Sequence, residues 1–209
     1  MEAVLDLYAL PRDARRPLVC MDEATKQLVK EITPPMPAGP GQAERIDYEY
    51  ERNGVGTMFM MCAPLEGWRQ VDVRAQKTAV DYAQCLRALS DVHFPDADKI
   101  ILVQDNLNTH KPAALYEAFE PGEAHRLSQR FEFHYTPKHA SWLNIAECEL
   151  SALARQCLAR RIADMPTLKK EIRSWVNKRN HSSTKIDWRF TTADARIKLR
   201  KLYPSIDAG

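Results

Sequence analysis

The pattern of apolar and polar residues along the chain predicts five β-strands. Some are short, nearly continuous apolar runs, and the most apolar of them, KIILVQ, is expected to lie at the centre of a sheet. Others alternate polar and apolar side chains, as half-buried strands do. A turn at Glu66-Gly67 predicts that the second and third segments pair as a hairpin. The five predicted strands cover residues 18–21, 57–62, 69–74, 99–104 and 130–135.

Five further segments are predicted to be helices, most of them from apolar residues at helical spacing. They cover residues 78–92, 112–119, 143–161, 166–179 and 191–202. The order is strand, hairpin, helix, strand, helix, strand and then helices alone. This order predicts an α/β fold with a mixed sheet flanked by helices and a helical C-terminal part. We expect residues 1–163 to form the core and 164–209 to form a basic helical extension of the same domain.

Composition places the chain among ordinary globular proteins. Its 209 residues are 44% apolar and 28% charged, and no segment approaches the roughly 18 apolar residues of a membrane span. The first 17 residues lack the apolar run of a signal peptide, so we expect a cytoplasmic protein. None of the five cysteines forms a C-x-x-C pair, which predicts reduced, mostly buried thiols rather than a zinc site or disulfides.

The net charge of +2 conceals a strong asymmetry. Residues 155–201 contain 14 Lys or Arg and only four acids, a local charge of +10, whereas the remainder of the chain carries −8. A basic segment attached to an acidic body suggests a polyanionic partner. Charge alone gives equal weight to an ordinary solvated helical surface, because basic surfaces are common.

Candidate chemistry starts with two aspartates, Asp22 and Asp105, that directly follow apolar strands. Ligands gather at the C-terminal ends of strands in open α/β sheets, and neighbouring carboxylates stay ionised most easily around a divalent cation. Glu147, near the start of a long helix, can supply a third carboxylate. Such oxygen ligands suit Mg²⁺ or Mn²⁺ better than zinc. Taken singly, each acid is better explained as a turn residue, a cap or a partner of the helix dipole.

The strings around these acids carry more information than the acids alone. Asp105 opens DNLNTHK and Glu147 closes SWLNIAE. In this order the two strings resemble transposases of the insertion sequence 630 family, in the mariner superfamily of DDE enzymes. The resemblance extends over nearly the whole chain, including HYTPKH at 134–139 and WRFTTADARIKLRKLY at 188–203.

This resemblance implies a ribonuclease-H-like fold in which Asp22, Asp105 and Glu147 are catalytic and hold two Mg²⁺ ions, for which Mn²⁺ can substitute. It also implies metal-dependent cleavage of DNA at transposon ends. The freed 3′-OH would then attack target DNA, with geometry and charge neutralisation supplied by the protein. The expected partners are transposon-end and target DNA, with a homodimer on DNA and no membrane. The expected setting is the bacterial cytoplasm, with the protein on the nucleoid when it is bound to DNA.

Two features of the chain bear on the third acid. Glu149 is a rival to Glu147, but a helix separates the two by about 200°, and Asn144 three residues before Glu147 favours Glu147. The 41 residues between Asp105 and Glu147 exceed the usual spacing of the superfamily. The extra residues are expected around 120–129, where they need not move the site.

The family normally carries helix-turn-helix domains before the catalytic domain, whereas Asp22 lies close to the start of this sequence. We therefore expect a fragment, a split reading frame or a shortened copy. The alternative function is a catalytically impaired DNA-binding remnant. A third reading is a nuclease acting on RNA–DNA hybrids, but the matches outside the acidic triad favour a transposase.

Several polar residues are candidate contacts to DNA phosphates, a kind of binding that is salt-dependent and independent of sequence. They are Asn106, His110, Lys111, Lys138, Arg160, Arg161, Arg179 and Lys185. For Asn106 and His110, orientation of the metal site or a turn role are alternatives. His134 and His139 are expected to pack or to contact phosphate, and Trp142 to anchor its loop. The Pro-rich segment 33–41 is either a dimer clamp or a surface loop.

Overall fold

The computed structural model describes residues 1–33, 36, 38–43, 48–138 and 140–203, without the side chain of Leu202. Within these residues five strands form one mixed sheet with the order β3-β2-β1-β4-β5. The antiparallel pairs are β1–β2 and β2–β3, and the parallel pairs are β1–β4 and β4–β5. The strands are β1 Leu18–Glu31, β2 Tyr50–Ala63, β3 Trp68–Arg74, β4 Ile100–Gln104 and β5 Phe131–Tyr135. The predicted α/β class, hairpin and central strands are confirmed.

The first two strands are much longer than the sequence pattern predicted. β1 continues for nine residues beyond Asp22, and its partner β2 begins seven residues before the predicted start. The added parts are mostly polar and exposed, so no apolar run marks them. They are held by antiparallel pairing, with Asp22 opposite Met60 and Thr25 opposite Thr57. The prediction that Asp22 ends its strand is therefore wrong, because the strand continues through pairing with β2.

The five predicted helices are present in the predicted order, and two helices that were not predicted are added, one at the N-terminus and one at 121–128. α1 (Glu2–Tyr8) was not predicted, although it buries Val4, Leu5, Leu7 and Tyr8. The others are α2 Ala79–Ala88, continued by a π-helical turn at Leu89–His93, α3 Ala113–Ala118, α4 Pro121–Ser128, α5 Ala146–Gln156, α6 Met165–His181 and α7 Thr192–Lys198. α4 occupies the segment to which the sequence assigned the extra residues. Thr191 caps α7 through a reciprocal pair with Asp194, as a capping box requires.

Each face of the sheet packs against its own group of helices. On one face, Val19 and Leu102 pack with Tyr82, Leu115 and Leu127 of α2, α3 and α4. On the other face, Cys20 and Val103 pack with side chains of α1, α5 and α6 such as Val4, Leu153 and Ile172. Because successive residues of a strand point to opposite faces, Asp22 and Glu23 must also face different helices.

Two expectations from composition can be compared with the described residues. None of the helices there is both long enough and apolar enough to cross a membrane. All five cysteines are free thiols: Cys20, Cys62 and Cys85 are buried, Cys157 is partly buried and Cys148 is exposed.

Candidate active site

The parallel pairing of β1 with β4 brings the two predicted aspartates to the same level of the sheet. Leu18 lies opposite Ile101, and Cys20 lies opposite Val103. Continuing this register by two residues places Asp22 level with Asp105, the residue that follows the last residue of β4. Asp22 thus occupies the predicted edge even though its strand runs on beside β2.

The end of β4 is fixed by a buried amide. Tyr82 donates its hydroxyl proton to Gln104 Oε1 over 2.8 Å, and Gln104 Nε2 donates to the carbonyl of His110 over 2.9 Å. The main chain of Gln104 accepts from Thr136 N. These bonds hold the loop 105–110 against the end of β4, so the main chain at Asp105 is fixed in position.

Asn144 ties the third predicted acid to the first. Its Nδ2 donates to the carbonyl of Met21 over 2.8 Å, and its Oδ1 accepts from Ala146 N over 3.1 Å. Met21 directly precedes Asp22, and Glu147 lies in the first turn of α5. A single buried side chain therefore holds the start of α5 beside the strand that carries Asp22.

The electrostatics of Asp22 include contributions from both of the other predicted acids. Burial, opposed by a 2.8 Å hydrogen bond from Glu23 N, is the largest cause of the raised pKa of the Asp22 carboxyl, and the charges of Asp105, Glu23 and Glu147 add to it. Together these effects move this pKa from its usual 3.8 to about 6. Like charges at close range favour protonation of one carboxyl unless a cation neutralises them. The edge of the sheet therefore carries a surplus of negative charge.

A buried histidine lies between two of these carboxylates. His110 Nδ1 is 2.5 Å from Asp105 Oδ1, and His110 Nε2 is 3.0 Å from Glu23 Oε2. The second contact is an ion pair without hydrogen-bond geometry. Burial lowers the pKa of His110, but the two carboxylates outweigh it and raise this pKa to about 9. The imidazole is therefore charged at neutral pH and bridges the acids.

Glu23 is the residue of this group that the sequence interpretation missed. Its side chain lies on the face of the sheet opposite to that of Asp22, where the His110 ring packs 4.8 Å from the ring of Tyr82. Ligand atoms of Glu23, Asp105 and His110 all lie within 4.8 Å of one another. Both imidazole nitrogens already face carboxylates, so an ion-paired histidine explains this group without a metal. The adjacency of Glu23 to Asp22 was the available signal.

Glu149 has a different environment from Glu147. Glu149 is fully buried and accepts hydrogen bonds from Arg179 over 2.7 and 3.1 Å, and its carboxylate lies 3.2 Å from Arg69 Nε. Glu147 remains partly exposed at the start of the same helix. Glu149 is thus already neutralised by arginine, and Glu147 is the glutamate near Asp22.

The predicted phosphate contacts lie in different environments. Asn106 and Lys111 are exposed in the loop after Asp105, and Lys138 and Lys185 are exposed elsewhere. His110 has only 1% of its side chain exposed, so its surroundings suit orientation of Asp105 and not contact with a phosphate.

The three predicted arginines all have acidic partners. Arg160 pairs with Glu171 over 2.8 Å and Arg161 with Glu31 over 2.6 Å, while Arg179 binds Glu149. Of these, Arg160 is the most exposed.

The remaining candidate residues are His134, His139, Trp142 and the Pro-rich segment. His134 is half-buried in β5, and burial lowers its pKa. Trp142 is 39% exposed and packs edge-on against Phe190. His139 lies outside the described residues, as do residues 34, 35 and 37 of the Pro-rich segment.

Comparison with known proteins identifies the fold and the family. No curated protein matches the chain. Among solved structures, a Mos1 mariner paired-end complex with Mg is similar with a TM-score of 0.59 and 16% identity, covering 89% of this chain and 54% of that one. A Mos1 strand transfer complex gives 0.58 and 16%, covering 95% and 56%. A Mos1 paired-end complex with Mn gives 0.56 and 18%, covering 85% and 52%.

These similarities confirm the predicted ribonuclease-H-like fold, and the chain spans little more than half the length of the matched proteins. The family model described as DDE superfamily endonuclease matches residues 17–169, which include Asp22, Asp105 and Glu147. The chain belongs to the DDE superfamily of endonucleases.

Proposed function

We propose that this chain is the catalytic domain of a transposase of the insertion sequence 630 family, which cleaves DNA at transposon ends and transfers the freed strand into target DNA. The proposal is supported by the pairing of β1 with β4, which puts Asp22 level with Asp105, and by the Asn144 hydrogen bond that joins the start of α5 to β1. Glu147 lies in the first turn of α5. The charges of Asp105 and Glu147 contribute to the raised pKa of Asp22. The strings DNLNTHK and SWLNIAE and membership of the DDE superfamily support this function.

The donor set fits a divalent metal. The three predicted ligands are all carboxylates, and in the described residues the only cationic partner that touches them is His110, which contacts Asp105 alone of the three. All-oxygen donors suit Mg²⁺ or Mn²⁺, and Mos1 mariner complexes have been solved with Mg and with Mn. We therefore assign Asp22, Asp105 and Glu147 as ligands of two Mg²⁺ ions, with Mn²⁺ as a substitute. Bound there, the ions would activate the attacking oxygen and neutralise the phosphate charge.

The chain's own residues would prepare this site. His110 and Glu23 fix the orientation of the Asp105 carboxylate, and Asn144 fixes Glu147 relative to Asp22. A ligand set held in advance loses less conformational entropy when it binds, which strengthens binding.

Basic and polar side chains would hold the DNA backbone. We assign this role to exposed Asn106, Lys111, Lys138 and Lys185, and to Arg160 and Arg161 after exchange of their acidic partners. His110 and Arg179, whose side chains are engaged inside the protein, would act indirectly.

The wider assembly follows from the same function. Residues 1–163 would form the catalytic core, with 164–209 as a basic extension packed on it. Mos1 forms paired-end complexes, and we propose that this chain also acts as a homodimer on transposon-end and target DNA. Such a protein would work on the bacterial nucleoid.

The test combines metal binding with DNA cleavage. Wild type should bind Mn²⁺ in calorimetry and nick supercoiled DNA, and Asp22→Asn, Asp105→Asn and Glu147→Gln should each lose both activities. DNA binding by a wild type that neither binds metal nor nicks would instead identify a catalytically impaired remnant. Cleavage of RNA–DNA hybrids in preference to transposon-end DNA would indicate a hybrid nuclease.

A further inference from the structure

A cluster of two buried charges and one partly buried charge lies behind the candidate active site. It consists of Arg69 on β3, Glu149 on α5 and Arg179 on α6. Arg69 and Glu149 each expose 1% of the side chain, and Arg179 exposes 18%. Glu149 binds Arg179 through both carboxylate oxygens, and it faces Arg69 at 3.2 Å. The cluster therefore joins three elements of the fold through one carboxylate.

Arg69 also fastens the end of α6 to the sheet. Its guanidinium donates to the carbonyls of Arg179 over 3.1 Å and Thr184 over 2.6 Å. The side-chain amide of Asn180 pairs with the main chain of Arg69, accepting from N over 2.9 Å and donating to O over 2.8 Å. These bonds are directional and satisfy the terminal nitrogens of a charged group that has left water, whereas Arg69 Nε faces Glu149 without hydrogen-bond geometry.

The turn before β3 is built to let α6 approach closely. Gly67 has a φ of +65°, and a Cβ at this position would lie 2.6 Å from the carbonyl oxygen of Ser183. Only glycine avoids both the backbone strain and the clash. The close contact between the 66–67 turn and residues 180–184 is thus a feature of the sequence as well as of the fold.

Stability alone does not account for an ion-pair cluster in which two of the three charges are buried. Removing charges from water is costly, and well-packed apolar side chains of similar volume often stabilise a core as well or better. What the ion pairs supply is direction, because Glu149 must face both arginines. Glu147 lies about 200° around the same helix, so fixing Glu149 at the back also fixes the direction of Glu147.

We propose that Arg69, Glu149 and Arg179 are positioning residues that set the rotation of α5 and so aim Glu147 at Asp22 and Asp105. This inference rests on the proposed role of Glu147 as a metal ligand. Arg179, Asn180 and Thr184 lie beyond residue 169, where the family match ends. Helix α6, which lies in the basic C-terminal extension, then contributes to the site through Arg179.

The test measures metal binding as well as cleavage. In the intact chain, Arg179→Met should weaken Mn²⁺ binding in calorimetry about ten-fold, the usual scale for a residue that orients metal ligands. The rate of nicking at saturating Mn²⁺ should fall by a similar factor. Arg179→Lys keeps a positive charge beside Glu149 and should restore most of the affinity for Mn²⁺.

A second variant separates positioning from folding. The triple substitution Arg69→Met, Glu149→Leu, Arg179→Met removes all three charges and leaves none unpaired, so it should stay folded in thermal melts. It should nevertheless bind Mn²⁺ about ten-fold more weakly, because the directional contacts are gone. Arg126→Met is the control, since Arg126 also joins two carboxylates but on the exposed surface. Arg126→Met should change neither the thermal stability nor the affinity for Mn²⁺.

The outcomes are distinguishable. Wild-type Mn²⁺ affinity and nicking rate in the folded triple variant would overturn the positioning role and leave the proposed function standing. Failure of wild type itself to bind Mn²⁺ would overturn the proposed function. Weakened binding in Arg179→Met with recovery in Arg179→Lys supports the positioning role even if the triple variant does not fold.

Discussion

Two glutamates in the first turn of α5 have opposite electrostatic surroundings. Glu149 is buried against two arginines, so its charge is balanced inside the protein. Glu147 is partly exposed and adds to the repulsion around Asp22. The carboxylate behind the helix is fully compensated by two arginines, whereas the carboxylate in front of it is not. We call the edge of the sheet that carries Asp22, Asp105 and Glu147 the active edge. Because the active edge keeps excess negative charge, it can bind a cation from solution, whereas the buried cluster needs none.

The largest effect should come from removing an acid at the active edge. Asp105→Asn and Glu147→Gln keep size and hydrogen bonding but lose a ligand charge. We expect each to reduce the nicking rate at least about a thousand-fold, on the scale of groups that act directly in the transition state. Plasmid nicking in Mg²⁺ and in Mn²⁺ measures this. A variant that nicks within ten-fold of wild type would remove that acid from the catalytic set.

The matched change behind the helix should have its main effect on stability. Glu149→Gln leaves Arg69 buried beside a neutral amide and should cost about 3–5 kcal/mol of unfolding free energy, as breaking a buried ion pair does. Glu147→Gln should cost little, because no arginine or lysine among the described residues forms an ion pair with Glu147. Urea unfolding of both variants without metal gives the comparison. Equal losses for the two glutamates would contradict the difference drawn between them.

The repulsion around Asp22 predicts a stabilising substitution. The pKa of Asp22 is about 6 in the folded chain against a usual 3.8, so its ionisation destabilises the fold as pH rises towards and through 6. Without metal, Asp22→Asn should raise the unfolding free energy by about 2 kcal/mol at pH 7. The gain should shrink as pH falls and vanish below about 4. Thermal melts with a chelator across this pH range test it, and a destabilised variant at pH 7 would contradict it.

The central sheet and most helices could be predicted because apolar periodicity marks buried faces. The polar half of β1 and α1 could not. Polar residues 22–31 are strand only because β2 pairs with them, and α1 is stabilised by the core that it covers. Asp105 and Glu147 were predicted from the sequence strings DNLNTHK and SWLNIAE, which resemble those of a known family and occur in the same order along the chain. Glu23 could have been found from its adjacency to Asp22, but its pairing with His110 and the Arg69 cluster depend on contacts between distant segments, which no local pattern reveals.

The smallest effect should come from an exposed arginine whose ion pair contributes little. Arg160 binds Glu171 with 60% of its side chain exposed, so Arg160→Ala should change the unfolding free energy by less than about 0.5 kcal/mol. If Arg160 contacts a DNA phosphate, the same variant should bind DNA more weakly and lower the slope of log affinity against log salt by about one. Fluorescence anisotropy over a salt series measures this, with Arg126→Ala as a control for net charge. Identical slopes in Arg160→Ala and wild type would remove Arg160 from the DNA surface and leave the active edge as the main determinant of function.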